Sequence, residues 1–261
     1  MIVGIKCPLT DKNETFDSCL ECKSKNLLPC SFTETYLKWL KRENATPHNF
    51  PSVTTLTGCL RSIFLQRATD RYINPTDSLY LFRGCGTHKE LEGVSLEDKD
   101  CLTEYAVEIK LGDRVLKGKL DKYIISKKKL VDYKTIKTIY KKYLPKWEHV
   151  YQVNMYRLGL EQKGYPVDTQ EVEYYAQELA PGDPMLSAKA KKITNKTLIE
   201  LANETLNIIE TSIESQTIPP YNLTKHPLFE LSDKRDNSFE WMCKDYCPVY
   251  NECMSLLKEG K

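Results

Sequence analysis

The stretch GKLDKYIISKKKLVDYKTI, residues 118–136, decides the fold, because it predicts two β-strands with acids placed where strand propensity disfavours them. Side chains two residues apart share one face of a strand, so Asp132 and Lys134 project together while Tyr133 points away. Asp121 lies on the neighbouring strand and can supply a second carboxylate. Two carboxylates and the carbonyl of Tyr133 are hard oxygen ligands suited to Mg²⁺ or Mn²⁺. Lys134 beside them can orient an attacking water and stabilise developing negative charge.

Strands and helices alternate on both sides of this stretch. Residues 105–111 alternate like a strand, and Gly112-Asp113 predicts a tight turn into a second strand ending near Ile125. Glu104, just before the first strand, is interpreted as a structural acid. A further strand is predicted at 171–177, and helices are predicted from Thr55, over 78–91, over 145–164 and over most of 185–215. This order predicts an α/β core, a mixed central sheet flanked by helices.

The composition is that of an ordinary soluble domain. The chain has 261 residues, of which 41% are hydrophobic and 28% charged, enough apolar mass for a core. No stretch has the roughly 18 apolar residues that span a bilayer, and the start, MIVGIKCP, has no basic leader. We therefore expect an intracellular, cytoplasmic protein with no membrane partner, and we exclude secreted disulfide scaffolds.

Ten cysteines are unusual in such a chain. Under reducing conditions, clustered cysteines are metal ligands more often than disulfides. One complete set of four stands at the front: Cys7, Cys19, Cys22 and Cys30. A segment this short needs a staple, so residues 1–34 are predicted to be a small Cys-rich zinc module. A helix and linker at 35–52 and a catalytic domain at 53–261 follow.

Positive charge is concentrated in one block. Residues 113–146 carry twelve Lys/Arg against three Asp. Aromatic side chains are interleaved with the lysines at the end of this block, an arrangement that suits single-stranded nucleic acid. The predicted DNA-binding residues are Lys137, Tyr140, Lys141, Lys142 and Tyr143. The alternative is a solvated lysine-rich face.

Four motifs in order resemble the RecB-type nucleases of the PD-(D/E)XK superfamily, over about residues 53–253. They are His88 in GCGTHKELEG, Asp121 in GKLD, Asp132 and Lys134 in VDYK, and Gln152 with Tyr156 in QVNMY. The resemblance implies a restriction-endonuclease-like core, with metal ligation by His88, Asp121 and Asp132. It also implies water activation by Lys134 and positioning of DNA by Gln152 and Tyr156.

The tail cysteines resemble those of the iron–sulfur members of this superfamily, the CRISPR-associated adaptation exonucleases and AddB nuclease domains. That likeness implies a 4Fe-4S cluster on Cys59, Cys243, Cys247 and Cys253. The closing spacing is C-x₃-C-x₅-C, one residue longer than is usual in the family, and Zn²⁺ in the same four-thiolate site is the alternative.

The sequence as a whole predicts a metal-dependent DNA nuclease, an exonuclease on single-stranded ends in DNA repair, recombination or CRISPR adaptation. The chain lacks helicase motifs, so a helicase or integrase partner is expected. Two alternatives stay open: a structure-specific endonuclease, and a non-catalytic zinc and iron–sulfur nucleic-acid-binding module.

Overall fold

A computed structural model describes residues 2–45, 51–68, 70–178, 183–219, 247 and 249–258. In these ranges the strands are β1 (Ile2–Lys6), β2 (Asn13–Thr15), β3 (Arg71–Ile73), β4 (Cys101–Leu111), β5 (Arg114–Ile124), β6 (Lys129–Ile136), β7 (Thr169–Ala176) and β8 (Met185–Lys189). The helices are α1 (Phe16–Ser24), α2 (Glu34–Ala45), α3 (Val53–Leu56), α4 (Leu60–Ala68), α5 (Ser78–Leu96), α6 (Trp147–Gln162), α7 (Asn195–Glu214) and α8 (Tyr250–Lys258).

The described residues fall into two compact units. The smaller unit takes its residues from 1–48 and 65–83, and the larger one from 49–64 and 84–261. The zinc module predicted at 1–34 lies within the smaller unit. Within the described ranges, no helix combines the length and the apolar character that crossing a bilayer requires.

The smaller unit is built on a three-stranded sheet in the order β2-β1-β3. The central strand β1 pairs antiparallel with β2 and parallel with β3. Helices α1 and α2 close one core, which contains Ile5, Phe16, Leu37 and Leu40. β1 and β3 were not predicted, because strands of five and three residues give too short a pattern to separate from a loop.

The larger unit is built on a five-stranded sheet in the order β4-β5-β6-β7-β8. β6 and β7 run parallel, and the other three neighbouring pairs are antiparallel. The two-residue turn between β4 and β5 contains Gly112, whose φ of +79° is a conformation that glycine adopts readily. The predicted mixed sheet flanked by helices is thereby confirmed.

Helix α6 connects the two parallel strands and lies deep in the larger unit. Residues 151–160 are all buried, between the sheet and helix α7. Helix α5 approaches the sheet closely at Gly84, where an added Cβ would lie 2.7 Å from Thr135 Oγ1. The glycine that weakens a helix prediction thus permits this contact. These helices hold the sheet rigidly where its acidic side chains lie.

Two predicted helices differ from the structure. The helix expected over most of 185–215 is strand β8 followed by α7, because Thr194 caps α7 by accepting a hydrogen bond from Thr197 N at 3.2 Å. The helix expected from Thr55 is divided into α3 and α4, and Cys59 lies between them. The division falls at Gly58, a residue that weakens helices.

Candidate active site

Strand β6 carries an acid that is almost completely buried. Asp132 is 1% exposed, and among the described residues no hydrogen bond reaches either of its carboxylate oxygens. Its ion-pair partner is Lys134, whose Nζ lies 2.7 Å from Asp132 Oδ2. The ammonium therefore balances the charge without filling the hydrogen-bonding capacity of the carboxylate. Such an arrangement is costly for folding, which makes it a candidate for function.

The alternation predicted along β6 is what the structure contains. Lys134 and Asp132 share the face covered by α6, while the hydroxyl of Tyr133 lies 3.2 Å from Ser95 Oγ on α5. The backbone N–H of Tyr133 donates a 2.6 Å hydrogen bond to Asp121 Oδ2. This bond ties the carboxylate on β5 to the strand that holds Asp132. The metal contact expected of the Tyr133 carbonyl stays a prediction.

Asp121 is a second buried acid beside the first. Burial raises the pKa of its carboxyl to about 7, and the nearby negative charge of Asp132 acts in the same direction. Lys134 and the N–H of Tyr133 act against that rise. Two carboxylates that share a desolvated site cannot both ionise cheaply unless a cation accompanies them.

Glu104, the optional further acid that the sequence favours as structural, lies near Asp121. It lies inside β4, where the flanking pairs Thr103–Lys122 and Tyr105–Leu120 place it across from Asp121. Its negative charge contributes to the raised pKa of Asp121, and it forms an ion pair with Lys119. Its φ of +50° is strained for a residue with a side chain. The hairpin register, counted back from the turn at Gly112, is the signal that could have located it.

The predicted Gln152 and Tyr156 pair lies against the same region. Gln152 Nε2 donates a 2.9 Å hydrogen bond to Tyr156 Oη, and both side chains are buried on α6. Gly118 makes room for the ring, since an added Cβ would lie 2.8 Å from Tyr156 Cε1. Burial raises the pKa of the Tyr156 hydroxyl, and the charges of Asp132 and Asp121 contribute. The helix motif and the acids therefore belong to one site.

His88 on α5 is near the acids but is not in direct contact with them. Its ring meets the ring of Tyr133 edge-on, with centroids 6.3 Å apart. Burial and the positive charge of Lys134 lower its pKa, against the influence of Asp132 and Glu104. An imidazole that stays neutral is able to bind a metal. Its role as a ligand stays a prediction.

His149 is a neighbour of Lys134 that the sequence reasoning did not select. It is half-buried at the start of α6, with Nδ1 2.9 Å from the hydroxyl of Tyr174, the residue that pairs with Lys134 across β6 and β7. Burial, followed by the positive charges of Lys134 and Lys146, holds its pKa well below the usual range. No local sequence pattern indicates this position.

Metal-ligating side chains are not drawn together around an ion position. In the described ranges, no group of three or more His, Cys, Asp or Glu side chains has an arrangement that could hold a metal ion. The oxygens nonetheless fit a divalent cation chemically. The buried oxygens of Asp132 have the ion pair with Lys134 but no hydrogen bond from the described residues, and burial raises the pKa of Asp121. The residues that could hold one are Asp121 and Asp132, with Glu104 and His88 next to them.

The lysine and tyrosine segment after β6 is exposed. Tyr140 and Tyr143 are 60% and 54% exposed, and Lys142 Nζ lies 4.6 Å from the centre of the Tyr143 ring. Lys137 and Lys141 form surface ion pairs with Glu178 and Asp183. Such pairs are weak, so both lysines can exchange their partner for a phosphate. DNA binding by this segment stays a prediction.

The structure describes all four cysteines of the front group and three of the four in the predicted iron–sulfur group. Burial raises the pKa of Cys19 to about 11, and the nearby thiols of Cys30, Cys7 and Cys22 add to the rise, so the four predicted front thiols are neighbours. Burial likewise raises the pKa of Cys59, with contributions from Cys247 and Cys253. Cys243 lies outside the described residues. Among the cysteines that the structure describes, no group is arranged so that it could hold a metal ion.

Comparisons with known proteins bear on the fold. No protein-family model matches the chain, and no curated protein matches it significantly. The crystal structure of SSO0001 aligns with a TM-score of 0.54 at 21% identity, covering 85% of this chain and 96% of that one. A structure named "Putative exonuclease", from Eubacterium rectale, aligns with a TM-score of 0.32 at 14% identity, over 71% and 76% of the two chains. The first likeness shows a shared fold, and the second is too distant to support an argument.

Proposed function

We propose that this protein is a metal-dependent nuclease that hydrolyses phosphodiester bonds in DNA. The observation that carries the proposal is the buried carboxylate of Asp132, whose oxygens lack hydrogen bonds, between Asp121 and Lys134. A fold does not retain two adjacent desolvated acids for stability, because each costs free energy when it is charged. Their retention argues for a cation and a reaction, and against a non-catalytic binding module.

The proposed ligands are Asp121 and Asp132, with His88 and the carbonyl of Tyr133 completing the set. A divalent cation held there, Mg²⁺ or Mn²⁺, would act as a Lewis acid on the phosphate and lower the pKa of the attacking water. A positive ion would also relieve the repulsion that raises the pKa of Asp121. Carboxylate and carbonyl oxygens are ligands that Mg²⁺ and Mn²⁺ commonly take.

The protein's own groups have separate tasks. Lys134 is close enough to Asp132 to share its site, so its ammonium can hold the attacking water or a non-bridging phosphate oxygen. Tyr133 N–H fixes the Asp121 carboxylate in one orientation. The Gln152–Tyr156 hydrogen bond holds both polar groups of α6 against the acids, where they can position the DNA backbone.

The proposed substrate is single-stranded DNA at an end. The exposed tyrosines at 140 and 143, together with Lys142, offer ring faces for bases and a charge for phosphates. Exonuclease action is the form of cleavage we propose, in DNA repair, recombination or CRISPR adaptation, and a separate helicase or integrase would supply or receive the strand.

Cleavage of end-labelled single-stranded DNA by the full chain tests the proposal. With Mn²⁺ or Mg²⁺ the wild type should cut, and a chelator or Asp132→Asn should abolish cutting while the DNA affinity is retained. Asp168→Asn is the matched control, because that side chain is exposed and pairs only weakly with Lys128 at 3.8 Å. Wild-type rates for Asp132→Asn would refute the assignment.

Metal binding can also be tested without measuring cleavage, through the melting temperature of the protein. Mn²⁺ should raise the melting temperature of the wild type, because ligand binding to the native state stabilises it. It should leave Asp132→Asn unchanged. Equal stabilisation of both proteins would show that Mn²⁺ binds at a site that does not include Asp132.

We also propose that Cys59, Cys243, Cys247 and Cys253 hold a 4Fe-4S cluster and that Cys7, Cys19, Cys22 and Cys30 hold Zn²⁺. Support comes from the electrostatic influence of Cys247 and Cys253 on the pKa of Cys59, and of Cys7, Cys22 and Cys30 on the pKa of Cys19. Elemental analysis of anaerobically purified protein should find about four irons and one zinc per chain. Cys59→Ser should remove the iron alone, and Cys22→Ser the zinc alone. Two zincs and no iron would assign both sites to zinc.

A further inference from the structure

The smaller unit contains an open groove lined by aromatic rings. Its volume is about 730 Å³, and its walls include Phe32, Tyr36, Trp39 and Phe82. Sites for small organic ligands have volumes of roughly 300–1,000 Å³. Phe82 is 44% exposed, and Phe32 and Trp39 are half-buried, so ring surface is left open to the groove. Exposed aromatic rings collected in one place are a mark of a binding site.

The rings are held in a fixed order. Phe32 and Trp39 each stack with Tyr36, at centroid distances of 5.7 and 5.8 Å and interplanar angles of 30° and 14°. Phe82 meets Trp39 edge-on at 4.9 Å. The Tyr36 hydroxyl donates a 2.7 Å hydrogen bond to the carbonyl of Pro75, which anchors the central ring. A flat ligand would therefore meet a prepared surface rather than mobile side chains.

Two cations stand at the edge of this surface. Lys38 and Arg42 line the groove and lie one helical turn apart on α2. Lys38 pairs with Glu34 at 2.6 Å and Arg42 with Glu43 at 3.0 Å, and all four side chains are substantially exposed. Exposed pairs contribute little to stability, so an incoming anion can displace the carboxylates. The groove thus combines flat apolar walls with a rim that suits negative charge.

We propose that this groove binds unpaired bases of single-stranded DNA, with the backbone phosphates on Lys38 and Arg42. Stacked aromatic rings beside cations are what single strands require, since every base has a π-face and every link a charge. An apolar protein partner would use the rings but would not use the cations, which would keep their weak surface pairs with Glu34 and Glu43. The inference deepens the proposed function, and rests on it for the identity of the ligand, by adding a binding surface that is separate from the acid cluster.

The test measures binding of a fluorescein-labelled oligothymidylate to the full chain carrying Asp132→Asn, so that the strand stays intact. Trp39→Leu and Phe82→Leu should each weaken affinity about tenfold, the effect of losing one stacked base. Trp39→Phe should retain affinity. Leu27→Ala is the matched control, because Leu27 is 64% exposed in the same unit and does not line the groove.

Two further measurements separate stacking from charge. An oligonucleotide of the same length with abasic sites should bind weakly to the wild-type groove and lose nothing more in Trp39→Leu. Lys38→Gln should reduce the slope of log affinity against log salt by about 0.7, the value for one phosphate contact on a single strand. Equal affinity for abasic and intact strands would overturn the proposal. So would a change of self-association in Trp39→Leu with DNA affinity unaltered, which would assign the groove to a protein contact.

The two proposals can fail independently. Cleavage is measured with Asp132 intact, and binding with Asp132→Asn. If the protein never cuts DNA but Trp39→Leu weakens DNA binding, the groove proposal stands and the nuclease proposal fails. If the protein cuts DNA and needs Asp132 to do so, but Trp39→Leu binds DNA as well as the parent does, the nuclease proposal stands and the groove proposal fails.

Discussion

The acid cluster of the larger unit and the aromatic groove of the smaller unit are opposite departures from ordinary packing. The first buries charge, with Asp132 only 1% exposed, whereas the second leaves Phe82 44% exposed. Ordinary domains bury apolar side chains and expose charged ones. Each region is thus costly in its own way, one in desolvation and the other in apolar surface left in water. A shared single-strand substrate would account for both, with chemistry in the buried region and affinity in the exposed one.

The largest expected effect concerns the buried acid cluster. Lys134→Ala should reduce the cleavage rate by about 10²–10⁴-fold, the usual contribution of one positioned proton-transfer group, while binding of the strand changes little. Lys129→Ala is the control on the same strand, since Lys129 pairs with Glu171 at 2.7 Å. Single-turnover cleavage measures the rate. A loss of DNA affinity equal to the loss of rate would contradict the assignment of chemistry to the acid cluster and of affinity to the aromatic groove.

The next prediction compares how the two regions tolerate added or removed volume. Gly118→Val should destabilise the protein by about 1–3 kcal/mol, because the new side chain collides with the ring of Tyr156. Phe82→Ala, in the exposed groove, should cost less. Gly93→Ala is the glycine control, since nothing lies within 4 Å of an added Cβ there. Urea unfolding gives the free energies, and equal costs for Gly118→Val and Gly93→Ala would contradict the close packing.

The pH dependence of stability is a further test of the buried acid cluster. Asp121 has its pKa raised from 3.8 to about 7, mainly by burial, so in metal-free protein the native state binds more protons than the unfolded state across that range. Stability should therefore fall as pH rises from about 4 to about 7 and then level off. Asp121→Asn should lose that fall. Thermal unfolding with a chelator present measures it, and an identical slope in both proteins would assign the dependence to other groups.

The smallest expected effect lies on the exposed side. Neutralising Lys137, Lys141 and Lys142 together should weaken single-strand binding and flatten its salt dependence, because fewer counterions are released. The groove variants at Trp39 and Phe82 should change affinity without changing that slope. An unaltered slope in the triple variant would identify the segment as a solvated face.

The sequence was sufficient for the parts of the fold with strong local patterns. The turn at Gly112 sets the register of the β4–β5 hairpin, and the alternation along β6 places Asp132 and Lys134 on one face. The mixed α/β sheet followed from the order of the elements. The position of Glu104 across from Asp121 was not predicted, because β4 begins at Cys101, earlier than the alternating pattern indicates.

Contacts between distant segments could not be predicted. His149 adjoins Lys134 only because Tyr174, on another strand, brings them together. The spacing of Tyr36 and Trp39 on α2 is visible in the sequence, but Phe82 comes from a segment far along the chain. Pairing across long loops depends on the tertiary fold, and one sequence carries no local signal of it.

The interleaved order of the two units determines how the chain can be shortened for recombinant production. Removing everything before residue 53 would delete β1 and leave β3 without its neighbour, while Ile73 and Leu79 would lose the core they pack against. An unpaired strand edge beside exposed apolar side chains promotes aggregation. A shortened chain that keeps only the larger unit would instead need the N-terminal segment removed and a Gly/Ser linker joining residue 64 to residue 84, so that both parts of the smaller unit leave together.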